Sequence, residues 1–127
     1  MIPPDQIEGK AELFMDFEVR LTLFDTPILC RFYRDFYDWD HLAKMIYAVT
    51  GIDEGKEGLQ QRARQIANLI RRFNLREGLK PEDDLLPKRF HRKLEDSGQV
   101  ITEKELESML QDYYRLHGWD KEGNPGT

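Results

Sequence analysis

The stretch LQQRARQIANLIRRFNLREG, residues 59–78, decides the fold class of this chain. Its apolar side chains recur every three or four positions, which is the spacing of one face of an α-helix. The spacing predicts a helix from about residue 54 to residue 77, and Gly78 follows where a left-handed residue commonly ends a helix. A turn of about 100° per residue places Arg64 and Arg71 opposite the apolar face. That face consists of Leu59, Ala63, Ile66, Ile70 and Phe73, with Phe73 expected in the core.

Three further segments repeat the helical spacing, and no segment alternates like a β-strand. The sequence therefore predicts an all-α fold, a compact multi-helix domain. Residues 79–100 contain Pro81, Pro87 and Gly98 and read as an irregular connector, while the tail WDKEGNPGT is expected to be loose. The three stripes are Leu13, Phe14, Phe17, Leu21 and Phe24; then Leu42, Met45, Ile46 and Val49; then Leu106, Met109, Leu110 and Tyr113.

Several residues mark where these helices begin and end. Thr102 with Glu105 three positions later is a capping box, and Gly118 stands at the end of the same helix. Gly51 ends the second stripe in the same way. Thr26 and Pro27 are typical of the start of a new short helix, with threonine as the cap and proline in the first turn.

Composition limits the chain to one modest domain. It has 127 residues, of which 39% are hydrophobic and 34% charged, with a formal net charge of −5. We therefore expect a single helical domain over residues 1–127. Neither a secretion signal nor a membrane-spanning stretch is recognisable, so we expect a cytoplasmic protein without a membrane partner.

The acidic balance argues against nucleic-acid binding by the whole molecule. A local exception is the run of basic residues between Arg62 and Lys80, where Glu77 is the one acid. This run has no interleaved aromatic residues and no recognised nucleic-acid fold, so a solvated or interface-forming helix face is expected instead. We expect no nucleic-acid partner.

The only cysteine, Cys30, lies in FDTPILCRF, residues 24–32, and two interpretations are open. Free cysteines usually behave as small buried core residues. Alternatively, Cys30 in the first turn of a helix that starts near Pro27 would favour a thiolate, which ligates soft metals and clusters. A 4Fe–4S cluster takes about four ligands, so the other ligands would then come from outside this chain.

Two acidic groups of residues allow similar alternatives. Asp25 would either cap the helix at Pro27 or direct its carboxylate to the N–H groups of a ligand. Asp38, Asp40 and His41 stand close together and invite a metal site, but a helix N-terminus also favours acids at this place. We expect the capping role for this second group.

Five stretches in one order along the chain carry a family pattern: DTPILCRF (25–32), AVTG (48–51), NLIRRFNLREG (68–78), DDLLPKR (83–89) and YYRLHGWDKEGNP (113–125). Together they resemble the C-terminal helical region of the aldehyde:ferredoxin oxidoreductases, which are tungsten-pterin enzymes. The resemblance extends over most of the chain. It implies a C-terminal domain or subunit of an enzyme that oxidises an aldehyde to a carboxylic acid and passes electrons through a 4Fe–4S cluster to ferredoxin.

The resemblance also implies roles for two residues. Cys30 would be the fourth ligand of the 4Fe–4S cluster, with the other three from a Cys-x-x-Cys-x-x-x-Cys motif far upstream. Asp25 would hydrogen-bond the pterin of the tungsten-bis-pterin cofactor. The partners implied are an N-terminal cofactor-binding domain or subunit and, for the intact enzyme, ferredoxin. No catalytic residue would lie in this chain, so the isolated chain is expected to be inactive and without a cofactor.

Two other functions stay open from the residues themselves. One is a helical protein-interaction module in which Cys30 is merely buried. The other is a nucleic-acid binder that uses the arginine-rich helix between Arg62 and Arg76.

Overall fold

A computed structural model describes residues 2–3 and 6–126, and it confirms the all-α prediction. Within those residues there is no β-strand, only an isolated bridge between Trp119 and Pro125. None of the helices there is both long and apolar enough to cross a membrane. The α-helices are α1 (Lys10–Asp25), α2 (Trp39–Thr50), α3 (Lys56–Arg76) and α4 (Glu103–His117), and the 3-10 helices are η1 (Arg31–Tyr33), η2 (Pro81–Asp84) and η3 (Lys88–His91).

The described residues form two compact units. The first combines the residues up to Met15 with the segment from Ile70 onward, and the second is Asp16–Leu69. The expectation of a single domain over residues 1–127 stays a prediction.

The predicted helix caps are confirmed where local chemistry determines them. Asp38 caps α2, because its carboxylate accepts a hydrogen bond from the His41 backbone N–H at 2.9 Å. Thr102 and Glu105 form the capping box of α4. Gly51 and Gly118 end these helices with φ angles of 74° and 71°, which is the left-handed region that glycine enters without steric cost.

The apolar face of α3 is not buried along its whole length. Leu59 and Ala63 are buried, with 3% and 0% of their surface exposed, but Phe73 is 53% exposed. The prediction of a core Phe73 is therefore wrong. Helical spacing identifies which side chains share a face, but it does not say whether this chain supplies the surface that covers them.

Arg71 also departs from its predicted position on the outer side of α3, because it is 7% exposed. Its guanidinium donates two parallel hydrogen bonds to the Asp84 carboxylate, from Nη1 at 2.8 Å and from Nη2 at 2.6 Å. Its Nε donates to the Gly123 carbonyl at 2.8 Å. The Tyr114 hydroxyl donates to Asp84 at 2.5 Å. A buried charge is tolerated when it is paired in this way, so residues distant in sequence are joined in the first unit.

The tail that was expected to be loose makes ordered contacts. The Asp120 carboxylate accepts hydrogen bonds from the backbone N–H groups of Glu122 at 3.0 Å and Asn124 at 2.8 Å. The Trp119 ring lies 5.2 Å from the Arg71 guanidinium carbon. Gly123 is buried, and a Cβ there would lie 2.5 Å from Arg71 Nη2. Glycine at this position lets the tail approach Arg71 closely.

The grouping of Arg71, Asp84 and Tyr114 shifts the pKa values of Asp84 and Tyr114. Burial alone would raise the pKa of Asp84, but the hydrogen bonds from Arg71 and Tyr114 and the Arg71 charge bring it below 3.8. Burial, followed by the hydrogen bond to the Asp84 carboxylate and its charge, raises the pKa of Tyr114 to about 12. Tyr114 therefore keeps its proton in the folded chain at pH values where an unfolded tyrosine, with a pKa of 10.0, loses it.

Replacing Leu42 and replacing Phe73 should have different costs. Leu42 is 1% exposed, so Leu42→Ala should lower the free energy of unfolding by about 2–5 kcal/mol. Phe73 is half exposed, so Phe73→Ala should cost only about 1 kcal/mol. Urea denaturation followed by far-ultraviolet circular dichroism measures both. Equal costs for the two variants would contradict the exposure described for α3.

The raised pKa of Tyr114 makes stability depend on pH in the alkaline range. The folded chain binds the proton more tightly than the unfolded chain, so this contribution is complete below about pH 10 and is lost as the pH rises to about 12. Tyr114→Phe should reduce that alkaline loss by on the order of 2 kcal/mol. Urea midpoints measured across the range test this, with Tyr47→Phe at an exposed tyrosine as the control. An unchanged slope in Tyr114→Phe would refute the assignment.

Candidate functional site

The segment around Cys30 begins where α1 ends. The Leu29 N–H donates to the Phe24 carbonyl at 2.8 Å and the Ile28 N–H donates to the Asp25 carbonyl at 3.0 Å. This pair of bonds is the Schellman motif, in which the residue after the cap is left-handed. Here that residue is Ile28, with φ 61°. The same hydrogen bonds end α3 and α4, where Gly78 and Gly118 are the left-handed residues.

The predicted helix start at Pro27 is therefore wrong, because Pro27 belongs to the end of α1 rather than to a new helix. The Thr26 hydroxyl donates back to the Thr22 carbonyl at 2.8 Å instead of capping a following helix. Cys30 is extended, with φ −70° and ψ 120°, and is the N-cap of the short helix η1. The expected α-helix N-terminus, on which the thiolate argument depended, is absent at Cys30.

Cys30 is exposed, which contradicts its interpretation as a core residue. Apolar side chains on both sides of it are exposed as well: Ile28 at 92%, Phe32 at 86% and Phe36 at 76%. We call Ile28, Phe32 and Phe36 the apolar rim of Cys30. Several large apolar side chains exposed along one short segment are typical of surfaces that bind another protein, a ligand or a membrane.

Asp25 faces a residue of its own segment. The Arg31 guanidinium donates from Nε to Asp25 Oδ1 at 2.7 Å and from Nη2 to Oδ2. The hydrogen bond from Arg31, with the charge of Arg31 adding to it, lowers the pKa of Asp25. Asp25 is thus held as an ionised acceptor. It does not cap a helix at Pro27.

The other candidate groups have partners inside the chain. The Asp38 carboxylate lies 2.7 Å from His41 Nδ1 as well as capping α2. Arg62 of the basic run pairs with Glu54 at 2.6 Å. Within residues 2–3 and 6–126, no group of three or more histidine, cysteine, aspartate or glutamate side chains could hold a metal ion.

Two features of the segment were missed in the sequence. The Asp25–Arg31 pair joins residues that are six positions apart across a turn, so no helical or strand spacing indicates it. The left-handed conformation of Ile28 was not predicted, because a β-branched residue is an outlier at positive φ. A usable signal was the Thr26–Pro27 pair, since the residue before proline disfavours continued helix and proline commonly follows a helix end.

Ile28 stores backbone strain that glycine would release. Its side chain is 92% exposed, so Ile28→Gly loses almost no burial. We expect the free energy of unfolding to rise by about 0.5–1 kcal/mol, because the left-handed backbone costs isoleucine more than glycine loses through unfolded-state entropy. Gly118→Ala, at φ 71° with open space around a new Cβ, is the opposite change and should destabilise by a similar amount. Urea denaturation measures both, and a destabilised Ile28→Gly would contradict the strain.

Comparison with known proteins identifies one family over the length of the chain. The family model described as "Aldehyde ferredoxin oxidoreductase, domains 2 & 3" matches residues 1–127. The tungsten-containing aldehyde ferredoxin oxidoreductase of Thermococcus kodakarensis is 34% identical over 131 residues, which cover 97% of this chain and 21% of that relative. The enzyme of the same name from Pyrococcus furiosus has the same identity and coverage. This chain therefore spans about a fifth of the length of these relatives. The chain belongs to the aldehyde ferredoxin oxidoreductase family.

Proposed function

We propose that this chain is the helical C-terminal part of a tungsten-dependent aldehyde:ferredoxin oxidoreductase and that Cys30 supplies one ligand of its 4Fe–4S cluster. The observation that carries the proposal is the exposure of Cys30 between exposed apolar side chains. An exposed thiol between apolar side chains suits a site that is completed by contact with a second part of the enzyme. The remaining part of the relatives, beyond the 21% that this chain matches, has room for that partner.

The donor chemistry at Cys30 fits a shared cluster. A thiolate is the usual cluster ligand, and this chain contains one cysteine, so it fits one of the roughly four positions. The other three ligands would come from the N-terminal cofactor-binding part. When bound, the cluster supplies one-electron transfer. The apolar neighbours Ile28, Leu29 and Phe32 would exclude water from it, and burial is one of the factors that set a cluster potential.

The proposed role of Asp25 is to accept hydrogen bonds from the pterin. Each carboxylate oxygen has two acceptor positions, so Asp25 can accept pterin N–H groups while Arg31 keeps its two hydrogen bonds. Arg31 would then orient the carboxylate and hold it ionised. This arrangement makes Arg31 a positioning residue for the contact.

In the proposed reaction an aldehyde and water give a carboxylic acid, two protons and two electrons, and ferredoxin accepts the electrons. The tungsten-bis-pterin group would supply the oxidising centre from the N-terminal part. Within this chain the contributions are covering the pterin, ligating the cluster through Cys30 and orienting Asp25. The isolated chain is expected to be inactive, since it would supply only one ligand of the cluster and would lack the tungsten-bis-pterin group.

The state of Cys30 is tested first on the isolated chain. An aromatic disulfide reagent should modify the thiol of the folded chain quickly, at a rate close to that of the urea-unfolded chain, because nothing in the segment covers it. Release of the coloured thiolate measures the rate. The Cys30→Ser variant is the matched control, since the chain then contains no other cysteine. Modification that proceeds only as fast as unfolding would restore the core interpretation.

The ligand roles are tested in the complete enzyme that contains this segment. Cys30→Ser should lower cluster iron and ferredoxin reduction while pterin content stays unchanged, and Asp25→Asn should lower pterin retention while iron stays unchanged. Each variant controls for the other, and Asp35→Asn, at an exposed acid of the same segment, controls for charge. Full iron content in Cys30→Ser would reject the cluster ligand and leave a helical interaction module as the function.

A further inference from the structure

A basic surface lies in the connector between α3 and α4, in the first unit. The sequence KRFHRK, residues 88–93, places Lys88, Arg89, Arg92 and Lys93 within six positions of a chain whose formal net charge is −5. We call these four residues the basic connector. All four side chains are exposed.

The charges of the basic connector are not neutralised inside the described part of the chain. No ion pair or hydrogen bond joins any of the four side chains to another residue of 2–3 or 6–126; Arg89 only lies over the Phe90 ring, 5.1 Å from its centroid. The acids that follow closely in the chain, Glu95 and Asp96, form no ion pair with these cations, and the Asp96 carboxylate accepts from the Ser97 N–H. Four neighbouring cations repel one another, so an anionic surface that approaches them gains attraction from all four.

The backbone that carries these cations is ordered. The His91 Nδ1–H donates to the Ile101 carbonyl at 2.7 Å, and the Phe90 N–H donates to the Pro87 carbonyl at 2.9 Å. Beyond the cations, the Leu94 N–H donates to the Gln99 carbonyl at 2.8 Å. The basic connector is therefore presented in a defined shape, and less conformational entropy is lost when a partner binds.

An open apolar cleft adjoins the basic connector. It has a volume of about 710 Å³, and Arg92 is part of its lining. Phe90 and Leu94 line the same cleft and are 53% and 54% exposed. An apolar centre with charged residues at its rim is the usual composition of a protein–protein interface. The charged lining is two cations, Lys10 and Arg92, and one acid, Glu105. The rest of the lining is Ile7, Leu86, Gln99, Val100, Ile101 and Met109.

We propose that the basic connector and its cleft dock an acidic ferredoxin, the protein in the family name and the electron acceptor of the proposed reaction. This inference rests on the proposed function. Complexes with electron carriers are small and transient, and complementary charge supplies their fast association. Nucleic acid is the less favoured partner, because phosphate contacts use the cations but leave the apolar cleft without a role.

The test uses the complete enzyme with two electron acceptors. In Arg89→Glu/Lys93→Glu, the KM for an acidic ferredoxin should rise about tenfold or more at low ionic strength, because the steering charge is reversed. Aldehyde oxidation with a small viologen dye should keep its rate, because the dye needs no docking surface. Salt should raise the wild-type KM and bring it toward that of the variant.

The matched control is Lys44→Glu/Arg64→Glu, which changes net charge equally at two exposed residues without recorded partners. Its KM for ferredoxin should stay near the wild-type value at equal salt. Absence of dye-linked aldehyde oxidation in the wild-type enzyme would reject the proposed function itself. Normal dye-linked activity, with a ferredoxin KM that the basic-connector variant shares with the control, would reject this docking surface alone. Salt-sensitive oligonucleotide binding that only the basic-connector variant loses, with unchanged ferredoxin KM, would also reject it and assign the surface to nucleic acid.

Discussion

The buried pair of Arg71 and Asp84 is the interaction on which the first unit depends. The guanidinium uses Nη1 and Nη2 for the carboxylate and Nε for the Gly123 carbonyl, so its three nitrogen atoms all donate. The hydroxyl of Tyr114, on α4, donates a further hydrogen bond to the Asp84 carboxylate. Removing either charged partner would leave the other charge largely buried without its counter-charge, which costs far more than an exposed ion pair contributes. One side chain of α3 thereby determines where η2, α4 and the tail lie within this unit.

What could be predicted from the sequence was what neighbouring residues determine. The caps at Asp38, Thr102 and Gly118 depend on side chains and backbone groups within a few positions, and they were found. The burial of Arg71 and the exposure of Phe73 were predicted with the opposite sign, because burial depends on which residues distant in sequence pack against the helix. Periodicity shows which side chains share one face of a helix, but it does not show whether other residues pack against that face.

The same distinction between local and distant determinants applies to the candidate site. The resemblance indicated Cys30 and Asp25, and the residue types alone left both roles open. The local geometry could not be read from spacing, because a left-handed isoleucine and an acid–arginine pair across a turn follow no period. Strained backbone often persists at functional segments, where the surrounding structure holds it in place. The strain at Ile28, two residues before Cys30, is consistent with that tendency.

The exposure of Cys30 also determines what oxidation does to the isolated chain. A chain with one accessible thiol forms at most one intermolecular disulfide, so air oxidation gives a covalent dimer and no larger disulfide-linked species. The side chains of the apolar rim, Ile28, Phe32 and Phe36, are themselves exposed and leave the thiol accessible to a second chain. A reducing buffer is therefore needed during purification, because the dimer consumes the sulfur atom proposed as the cluster ligand.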